Sequence, residues 1–166
     1  MILPFILACV VLIAADQTVK LFVVSHLALG ETAPLLPGVV ELLRLHNYGA
    51  AWSSFSGMRI LLIVLTSALM LGLLYLVVKK IVRHPLGLSA ITLILAGGIG
   101  NLIDRIRLGY VVDMFNFQFM SYPVFNVADI FVVVGVPLFL IYFLFLYDKT
   151  DGKENAAKKN AKHKED

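Results

Sequence analysis

Three aspartates in the second half of the sequence could support acid–base chemistry. Asp113 and Asp129 lie in the motifs VVDMF and FNVAD, with Pro123 in the loop between them, and Asp104 comes earlier in GNLIDR. Two carboxyl groups brought close together cannot both ionise cheaply, so they share one proton. One member can then activate water while the other protonates a carbonyl oxygen. The pattern indicates peptide-bond hydrolysis by Asp113 and Asp129 as one candidate chemistry.

The polar groups next to apolar runs also have plain structural interpretations. Asn126 suits a helix N-cap, with Asp129 complementing the helix dipole in the first turn. Asp16 and Lys20 are spaced at i and i+4, which suits an ion pair. Ionisable groups at membrane depth are nevertheless costly and usually mark function.

A third polar group follows one face of a predicted helix. Gly97, Asn101 and Asp104 are spaced at i, i+4 and i+7. A glycine on that face lets another helix approach closely, and Asn and Asp can hydrogen-bond across the contact. Arg105 could pair with a neighbouring acid. The structural alternative to chemistry is therefore a polar clasp that closes a helix bundle.

Other chemistries have weaker support in the sequence. A metal site lacks an HExxH motif, the single cysteine, Cys9, suits a small core residue, and the histidines are scattered at His26, His46, His84 and His163. Ion or drug transport favours charges near the bilayer midplane, where the predicted spans are uncharged. A Ser/Lys hydrolase could use Lys20 with Ser53, Ser54 or Ser56. A small transporter or a lipid-binding scaffold is the non-enzymatic alternative.

The elements that must position these residues are membrane helices. Of the 166 residues, 60% are hydrophobic and the mean hydropathy is +0.89, whereas a soluble domain is about 45–50% apolar. Residues 60–78, 86–103 and 130–147 carry no charge, and each run approaches the ~20 residues that a spanning helix needs. The N-terminal run reaches that length by continuing to Val24. We predict an all-α integral membrane protein with four transmembrane helices.

The basic residues predict how the chain is oriented. Nine of the fourteen Lys and Arg residues fall on one side, at Lys79, Lys80, Arg83, Lys149, Lys153, Lys158, Lys159, Lys162 and Lys164. The positive-inside rule places that side, with both termini, in the cytoplasm. The transmembrane domain is expected to cover residues 1–148, and the Lys-rich tail, 149–166, is expected to be disordered.

The two predicted external segments, about 25–58 and 104–129, contain the three aspartates of interest or border them. Pro34, Pro37 and Gly38 interrupt the helical pattern in the first segment, and VVELLRLH alternates like a short strand. Trp52 and Phe55 suit the lipid headgroup level. We expect a small extracytoplasmic cap that contains β-structure.

Four motifs together resemble the bacterial lipoprotein signal peptidase family, signal peptidase II. They are DQTVK (16–20), NYGAAWS (47–53), GNLIDRIRLGYVVDMFNF (100–117) and FNVAD (125–129). Their order, their spacing and the four-helix hydropathy match the family over nearly the whole chain except the tail. The N-terminus departs from the pattern because it lacks basic residues.

The resemblance implies a membrane aspartyl endopeptidase that removes signal peptides from prolipoproteins, cutting just before a diacylglyceryl-modified cysteine. Asp113 and Asp129 match the catalytic positions of the family. Other motif positions that line or support the site are Asp16, Lys20, Asn47, Asn101, Asp104, Arg105 and Asn126.

The resemblance also implies partners and location. It implies a monomer in the bacterial cytoplasmic membrane, with its site near the outer face and a cradle and mobile lid formed by residues 25–58. Lipid-modified prolipoproteins, membrane lipid and globomycin-type inhibitors are the expected partners. No metal, organic cofactor or nucleic acid is expected.

Overall fold

The computed structural model describes residues 2–49, 54, 55 and 57–162, and within them four helical segments are long and apolar enough to cross a membrane. The first three spans are single helices. The fourth continues past α4 through a π-helical turn, Tyr142–Leu146, and a 3-10 turn, Tyr147–Lys149. The four-helix prediction is confirmed, and the spans comprise α1 (Ile2–His26), α2 (Arg59–Val78), α3 (Pro85–Arg107) and α4 (Val127–Ile141).

Helix α3 is the centre of the bundle, because α1, α2 and α4 all pack against it. Glycines allow the close approach of α3 and α4. A Cβ atom at Gly97 would collide with the carbonyl oxygen of Ala128, and one at Gly135 would lie 2.8 Å from Ile94 Cγ1. The predicted role of Gly97 in close helix packing is therefore confirmed.

The outer surface of the spans is apolar. Large hydrophobic side chains are exposed along α1, α2 and α4, among them Val11, Leu65, Leu71 and Val133. A water-soluble protein rarely exposes so large a continuous apolar area, and lipid is the solvent that suits it. Most of the buried polar groups, in contrast, collect between the helices near one end of the bundle.

A small antiparallel sheet forms the cap. Its strands are β1 (Thr32–Leu36), β2 (Val40–Asn47) and β3 (Val111–Phe117), in the order β1-β2-β3. The strand predicted from VVELLRLH is confirmed as β2. The sequence pattern did not predict β3, since its first four residues are all buried and show no alternation of polar and apolar side chains.

Two arginines fasten helix ends near the cap. Arg44 on β2 donates to the carbonyls of Val24 and Leu27 at the end of α1. Arg59, the first residue of α2, donates to the carbonyls of Arg105 and Ile106 at the end of α3. These carbonyls lack partners within their own helices, so the arginine contacts satisfy them and complement the helix dipoles.

The structure differs from the sequence prediction in two places. Helix α3 continues to Arg107, so the segment predicted to be external from residue 104 begins with a helical turn, and Asp104 lies on the predicted helix face. The tail was expected to be disordered, yet a fifth helix, α5 (Asp151–Lys162), follows the fourth span. Its first residue is buried and accepts hydrogen bonds from the amides of Arg83 and His84. Such an anchor favours a helix that composition alone does not predict.

Candidate active site

Asp113 lies in the middle of β3, and only 1% of its surface is exposed. The pairing of β3 with β2 places Leu45 opposite Asp113 and brings Asn47 alongside. Asn47 Nδ2 donates a 2.9 Å hydrogen bond to Asp113 Oδ2, and Asn126 Nδ2 donates one of 2.7 Å to Oδ1. Each carboxyl oxygen thus has a donor, and the side chain is held in one orientation.

Asp129 lies in the first turn of α4. Its Oδ2 atom accepts a 3.1 Å bond from the backbone N–H of Asn126, and its own N–H donates a 3.0 Å bond to Asn126 Oδ1. This reciprocal pair is a capping box, so the predicted N-cap is confirmed. The other carboxylate oxygen, Oδ1, accepts a 2.8 Å bond from Asn101 Nδ2 on α3. The capping interaction therefore also fixes the direction of the Asp129 carboxylate.

Asn126 connects the two aspartates. It is completely buried, and its side-chain amide donates both to Asp113 and, at 3.1 Å, to Asn101 Oδ1. Its backbone N–H donates to Asp129. The sequence pattern indicated a helix cap, and the family resemblance implied a supporting role at the site. In the fold it contacts both carboxyl groups, that of Asp113 through its side-chain amide and that of Asp129 through its backbone N–H.

The surroundings of Asp113 favour its protonated form. Burial raises the pKa of the Asp113 carboxyl from 3.8 to about 7, and the charge of Asp129 acts in the same direction. The hydrogen bonds from Asn47 and Asn126 oppose this rise without cancelling it. A carboxyl with such a pKa beside a second carboxyl can retain a proton near neutral pH, as a two-aspartate mechanism requires.

A buried lysine joins α1 to α3 behind this pair. Lys20 Nζ lies 3.0 Å from Asp16 Oδ2 and 2.9 Å from Asp104 Oδ2, and it donates a 3.0 Å bond to Asn101 Oδ1. The predicted ion pair and the predicted polar clasp are both confirmed. The three charged side chains are at most 4% exposed, so the ion pairs are held away from solvent.

The carboxylates of this lysine cluster also hold the backbone beside each candidate catalytic residue. Asp16 Oδ1 accepts a 2.9 Å bond from the N–H of Ala128, and Asp104 Oδ2 accepts a 3.2 Å bond from the N–H of Val112. Ala128 directly precedes Asp129, and Val112 directly precedes Asp113. A single lysine therefore links the supports of both aspartates.

Gln17 is a member of this cluster that the sequence analysis missed. Its Nε2 atom lies 3.2 Å from Asp16 Oδ2, 3.1 Å from Asp104 Oδ1 and 3.3 Å from the carbonyl oxygen of Gly100. An uncharged amide within an apolar span was the available signal, because such groups need partners in lipid.

Arg105 does not pair with an acid as predicted. In the described part of the chain no carboxylate lies within ion-pair distance of its guanidinium. Its Nη2 atom instead donates a 2.8 Å bond to the carbonyl of Gly49, and Nη1 lies 3.4 Å from the carbonyl of Asn101. Since Gly49 N–H donates to Asn47 Oδ1, Arg105 fixes the loop that carries Asn47.

A cavity of about 590 Å³ connects the aspartates to the lipid-facing part of the bundle. Asp113, Asp129, Asn47, Asn101 and Arg105 form its polar end. Its remaining walls are mostly apolar and come from α2, α3, α4 and the loop before α4, and include Leu69, Met70, Ile94, Val132, Val133 and Phe125. A cavity with one polar end and apolar walls suits a largely apolar ligand that carries a polar group to be recognised or cut.

The alternatives left open by the sequence find little support in this geometry. Among the described residues no group of His, Cys, Asp and Glu side chains could hold a metal ion. Lys20 is occupied by two carboxylates and Ser54 is exposed, so this pair does not form a Ser/Lys site. Ser53, Ser56 and Trp52 lie outside the described residues. Cys9 is buried in the core, as predicted.

Comparison with known sequences identifies similar proteins. A family model described as signal peptidase (SPase) II matches residues 8–145. A lipoprotein signal peptidase of Enterococcus faecalis is 41% identical over 157 residues, which are 93% of this chain and 94% of that protein. One of Lactococcus lactis is 44% identical over 135 residues, 81% of this chain and 89% of that protein. One of Streptococcus pyogenes is 43% identical over 141 residues, 82% and 90% of the two chains.

Two solved structures of bacterial membrane enzymes, both obtained by the in meso method, share the fold. The first superposes with a TM-score of 0.81 at 29% identity and covers 91% of this chain and 92% of its own. The second has a TM-score of 0.80 at 30% identity and covers 88% and 96%.

Proposed function

Because the chain belongs to the signal peptidase II family, we propose that it cleaves lipoprotein precursors by aspartic catalysis. Membership makes it a multi-pass bacterial membrane peptidase that acts on lipoprotein substrates. The finer proposal is that Asp113 and Asp129 activate the attacking water and that the cut falls just before the diacylglyceryl-modified cysteine. The observation that supports it best is the arrangement of these two carboxyl groups around Asn126 at the polar end of the cavity.

In the proposed mechanism the two aspartates hold one proton between them. The ionised carboxylate takes a proton from water, and the water oxygen attacks the carbonyl carbon of the scissile peptide. The protonated carboxyl donates its proton to the carbonyl oxygen. When the tetrahedral intermediate collapses, the C–N bond breaks and the leaving amine receives a proton from the carboxyl that had accepted one from water. The other carboxylate takes back a proton from a hydroxyl of the intermediate as the new C=O bond forms, so the pair again holds one proton. We assign the protons to the pair rather than to one residue, because such groups titrate as a unit.

The apolar walls of the cavity suggest how the substrate reaches the aspartates. Leu69 on α2 and Val133 on α4 both line the cavity and are exposed on the lipid-facing surface. A signal helix already in the bilayer can therefore approach laterally between α2 and α4. Its scissile bond then meets the carboxyl groups at the depth where the helix leaves the hydrocarbon layer. Asp129 lies at the end of an apolar span because its substrate is itself a membrane segment.

The remaining motif residues are proposed as positioning groups for this pair. Each bonds to a catalytic carboxyl directly or to a group that helps to hold one. Together they are Asp16, Lys20, Asn47, Asn101, Asp104, Arg105 and Asn126. We further propose a monomer with both termini in the cytoplasm, its site near the outer face, and inhibition by globomycin. Neither a metal nor an organic cofactor takes part.

The direct test of this proposal is to replace each aspartate by asparagine. Asn keeps the size and hydrogen-bonding capacity of Asp but cannot exchange the proton. Asp113→Asn and Asp129→Asn should each slow cleavage of a lipidated prolipoprotein by about 10²–10⁴-fold, the usual contribution of general acid–base catalysis. The double variant should be no slower than either single one, because residues that act as a unit are not additive.

A matched control is Asp148→Asn, which changes an exposed acid at the other end of the fourth span. This variant should cleave at the wild-type rate, and all variants should bind globomycin in the same detergent. A folded Asp113 or Asp129 variant that cleaves as fast as this control would exclude the two-aspartate mechanism.

A further inference from the structure

The end of the bundle opposite the aspartates contains a buried acid that the proposed function does not use. Asp151, the first residue of α5, is 4% exposed. Its Oδ2 atom accepts 2.9 Å bonds from the backbone N–H groups of Arg83 and His84 and a 2.6 Å bond from Tyr142 Oη. We call these four residues the latch. The latch joins α5 to the α2–α3 loop and to the end of the fourth span.

Asp151 is the charged group of the latch, and further contacts of Arg83 involve the first turn of α5. Burial alone would raise the pKa of Asp151, but the bonds from Arg83, Tyr142 and His84 hold it below its usual value. Arg83 also pairs with Glu154 and contacts Asn155. Asn155 Nδ2 in turn donates a 3.0 Å bond to the carbonyl of Ile81. Helix α5 therefore begins at a fixed position on the bundle.

The acids near the latch are partly paired, whereas the lysines of this end are exposed. Asp151 and Glu154 are both matched to Arg83, and Asp148 is the remaining exposed acid in the described part of this end. Four lysines at the ends of the spans and in α5 are exposed: Lys79, Lys80, Lys149 and Lys153. We call this set the cationic face. The sequence of α5 contributes three more lysines, at positions 158, 159 and 162.

The position of the cationic face indicates its partner. Lys79 directly follows the end of α2 and Lys149 ends the fourth span, so both lie where the chain leaves the hydrocarbon layer. Lysines immediately beside a span lie within the attractive field of an anionic membrane surface. Alanine is the only apolar residue type in α5, apart from one glycine. The helix therefore has no bulky side chain to insert, and any membrane contact must be electrostatic.

We propose that the cationic face, held in place by the latch, binds the anionic lipid headgroups of the adjacent leaflet. The lysines then serve as a lipid-binding surface in the folded protein. The latch gives α5 a fixed position beside the fourth span, which a disordered lysine-rich tail lacks. Arg83 also offsets part of the negative charge of Asp151 and Glu154, which would otherwise weaken the attraction further.

Hydrogen exchange of the full chain in nanodiscs tests this proposal. Amides of residues 149–162 should exchange at least about fivefold more slowly in discs containing phosphatidylglycerol than in discs of phosphatidylcholine alone, the factor expected from one lysine near an anionic surface. High salt should remove the difference. Replacing the four lysines of the cationic face by glutamine should reduce the difference, whereas replacing them by arginine should preserve it.

Two outcomes would overturn the proposal. Equal exchange in the two lipids would show that the cationic face does not bind anionic headgroups. If polyglutamate then slowed the exchange, an acidic protein would be the better partner. A glutamine variant that kept the full lipid difference would place the contact elsewhere. Neither outcome bears on cleavage, because none of these lysines belongs to the proposed catalytic machinery.

Discussion

At the scale of single residues, the same side chains serve both folding and the proposed chemistry. Asp129 completes the capping box of α4 and also presents a carboxylate oxygen to Asn101. Asn126 caps that helix and donates to Asp113. The structural and functional interpretations of these residues are therefore not alternatives. A cap gives a carboxylate a fixed direction, which a catalytic group needs.

The raised pKa of Asp113 predicts how stability and activity depend on pH. Its folded pKa of about 7 exceeds the ordinary aspartate pKa of 3.8, so the native state binds more protons than the unfolded state between these values. Stability should therefore fall as the pH rises from about 4 to about 7, because ionisation of the buried carboxyl opposes folding. Cleavage should decline as the pH passes about 7 and the shared proton is lost. Thermal melts and cleavage rates across this range measure both effects.

Asp113→Asn provides the comparison for the melts, because it removes the titrating group and keeps the shape. Its melting temperature should depend less on pH than that of the wild type over the same interval. Identical slopes for the two proteins would mean that another group is responsible.

The lysine cluster leads to a second prediction at this scale. Lys20→Met would leave Asp16 and Asp104 without their cation, and breaking a buried pair in this way costs about 3–5 kcal/mol. The freed carboxylates would also hold the amides of Ala128 and Val112 less firmly. We expect a lower melting temperature together with a fall in kcat larger than any rise in KM.

Adding Asp16→Asn to Lys20→Met is the matched control, because it restores the net charge of the cluster. The double variant should regain part of the lost stability, since an amide oxygen can still accept from Ala128 N–H. If the double variant is less stable than Lys20→Met alone, charge balance is not the reason for the lysine.

At the scale of elements, each segment that carries the site is fastened at its end. Arg59 holds the end of α3, Asp104 holds the start of β3, and Asp16 holds the start of α4. Helix α5 follows the same rule through Asp151. Buried helix ends contain amides and carbonyls without partners in their own helix, so each needs a contact of this kind.

The latch predicts different effects for two truncations. Ending the chain after Asp148 removes Asp151 and leaves buried Tyr142 Oη and two backbone N–H groups without their acceptor, at about 1–3 kcal/mol for each unsatisfied group. Ending it after Asn155 keeps the latch. We expect the shorter chain to melt at a lower temperature, while both cleave substrate at moderate temperature because the site lies at the other end. Equal melting temperatures would show that the latch does not stabilise the bundle.

At the scale of the whole molecule, the two ends of the bundle have opposite characters. One end carries the cap, the aspartates and the cavity, and the other carries the latch and the cationic face. Basic residues concentrate at the second end. The positive-inside rule predicts that the end with more basic residues faces the cytoplasm.

The asymmetry predicts the topology. Reporter fusions at residue 82 and within the tail should report the cytoplasm, and fusions near residues 40 and 118 should report the exterior. The expected pattern follows from the excess of lysine and arginine in the α2–α3 loop and in the tail. An external tail would require an odd number of membrane crossings, or the reverse orientation of all four.

The sequence alone determined the features that depend on neighbouring residues. The four spans follow from the length of the apolar runs, and the pairing of Asp16 with Lys20 follows from their spacing on one helix. The cap of α4 is also local, because Asn126 and Asp129 are one turn apart. In each case the interacting groups are at most a few residues apart, so the helix period or the apolar run length predicts the result.

Only the tertiary structure decided which distant groups meet. Three contacts join different elements. They are the bonds from Asn126 to Asp113 and from Gln17 to Asp104, and the ion pair of Lys20 with Asp104. The tail helix depends in the same way on Asp151 reaching the start of α3. A buried polar group takes the partners that packing brings within reach, and periodicity along one segment carries no information about the segment that packs against it.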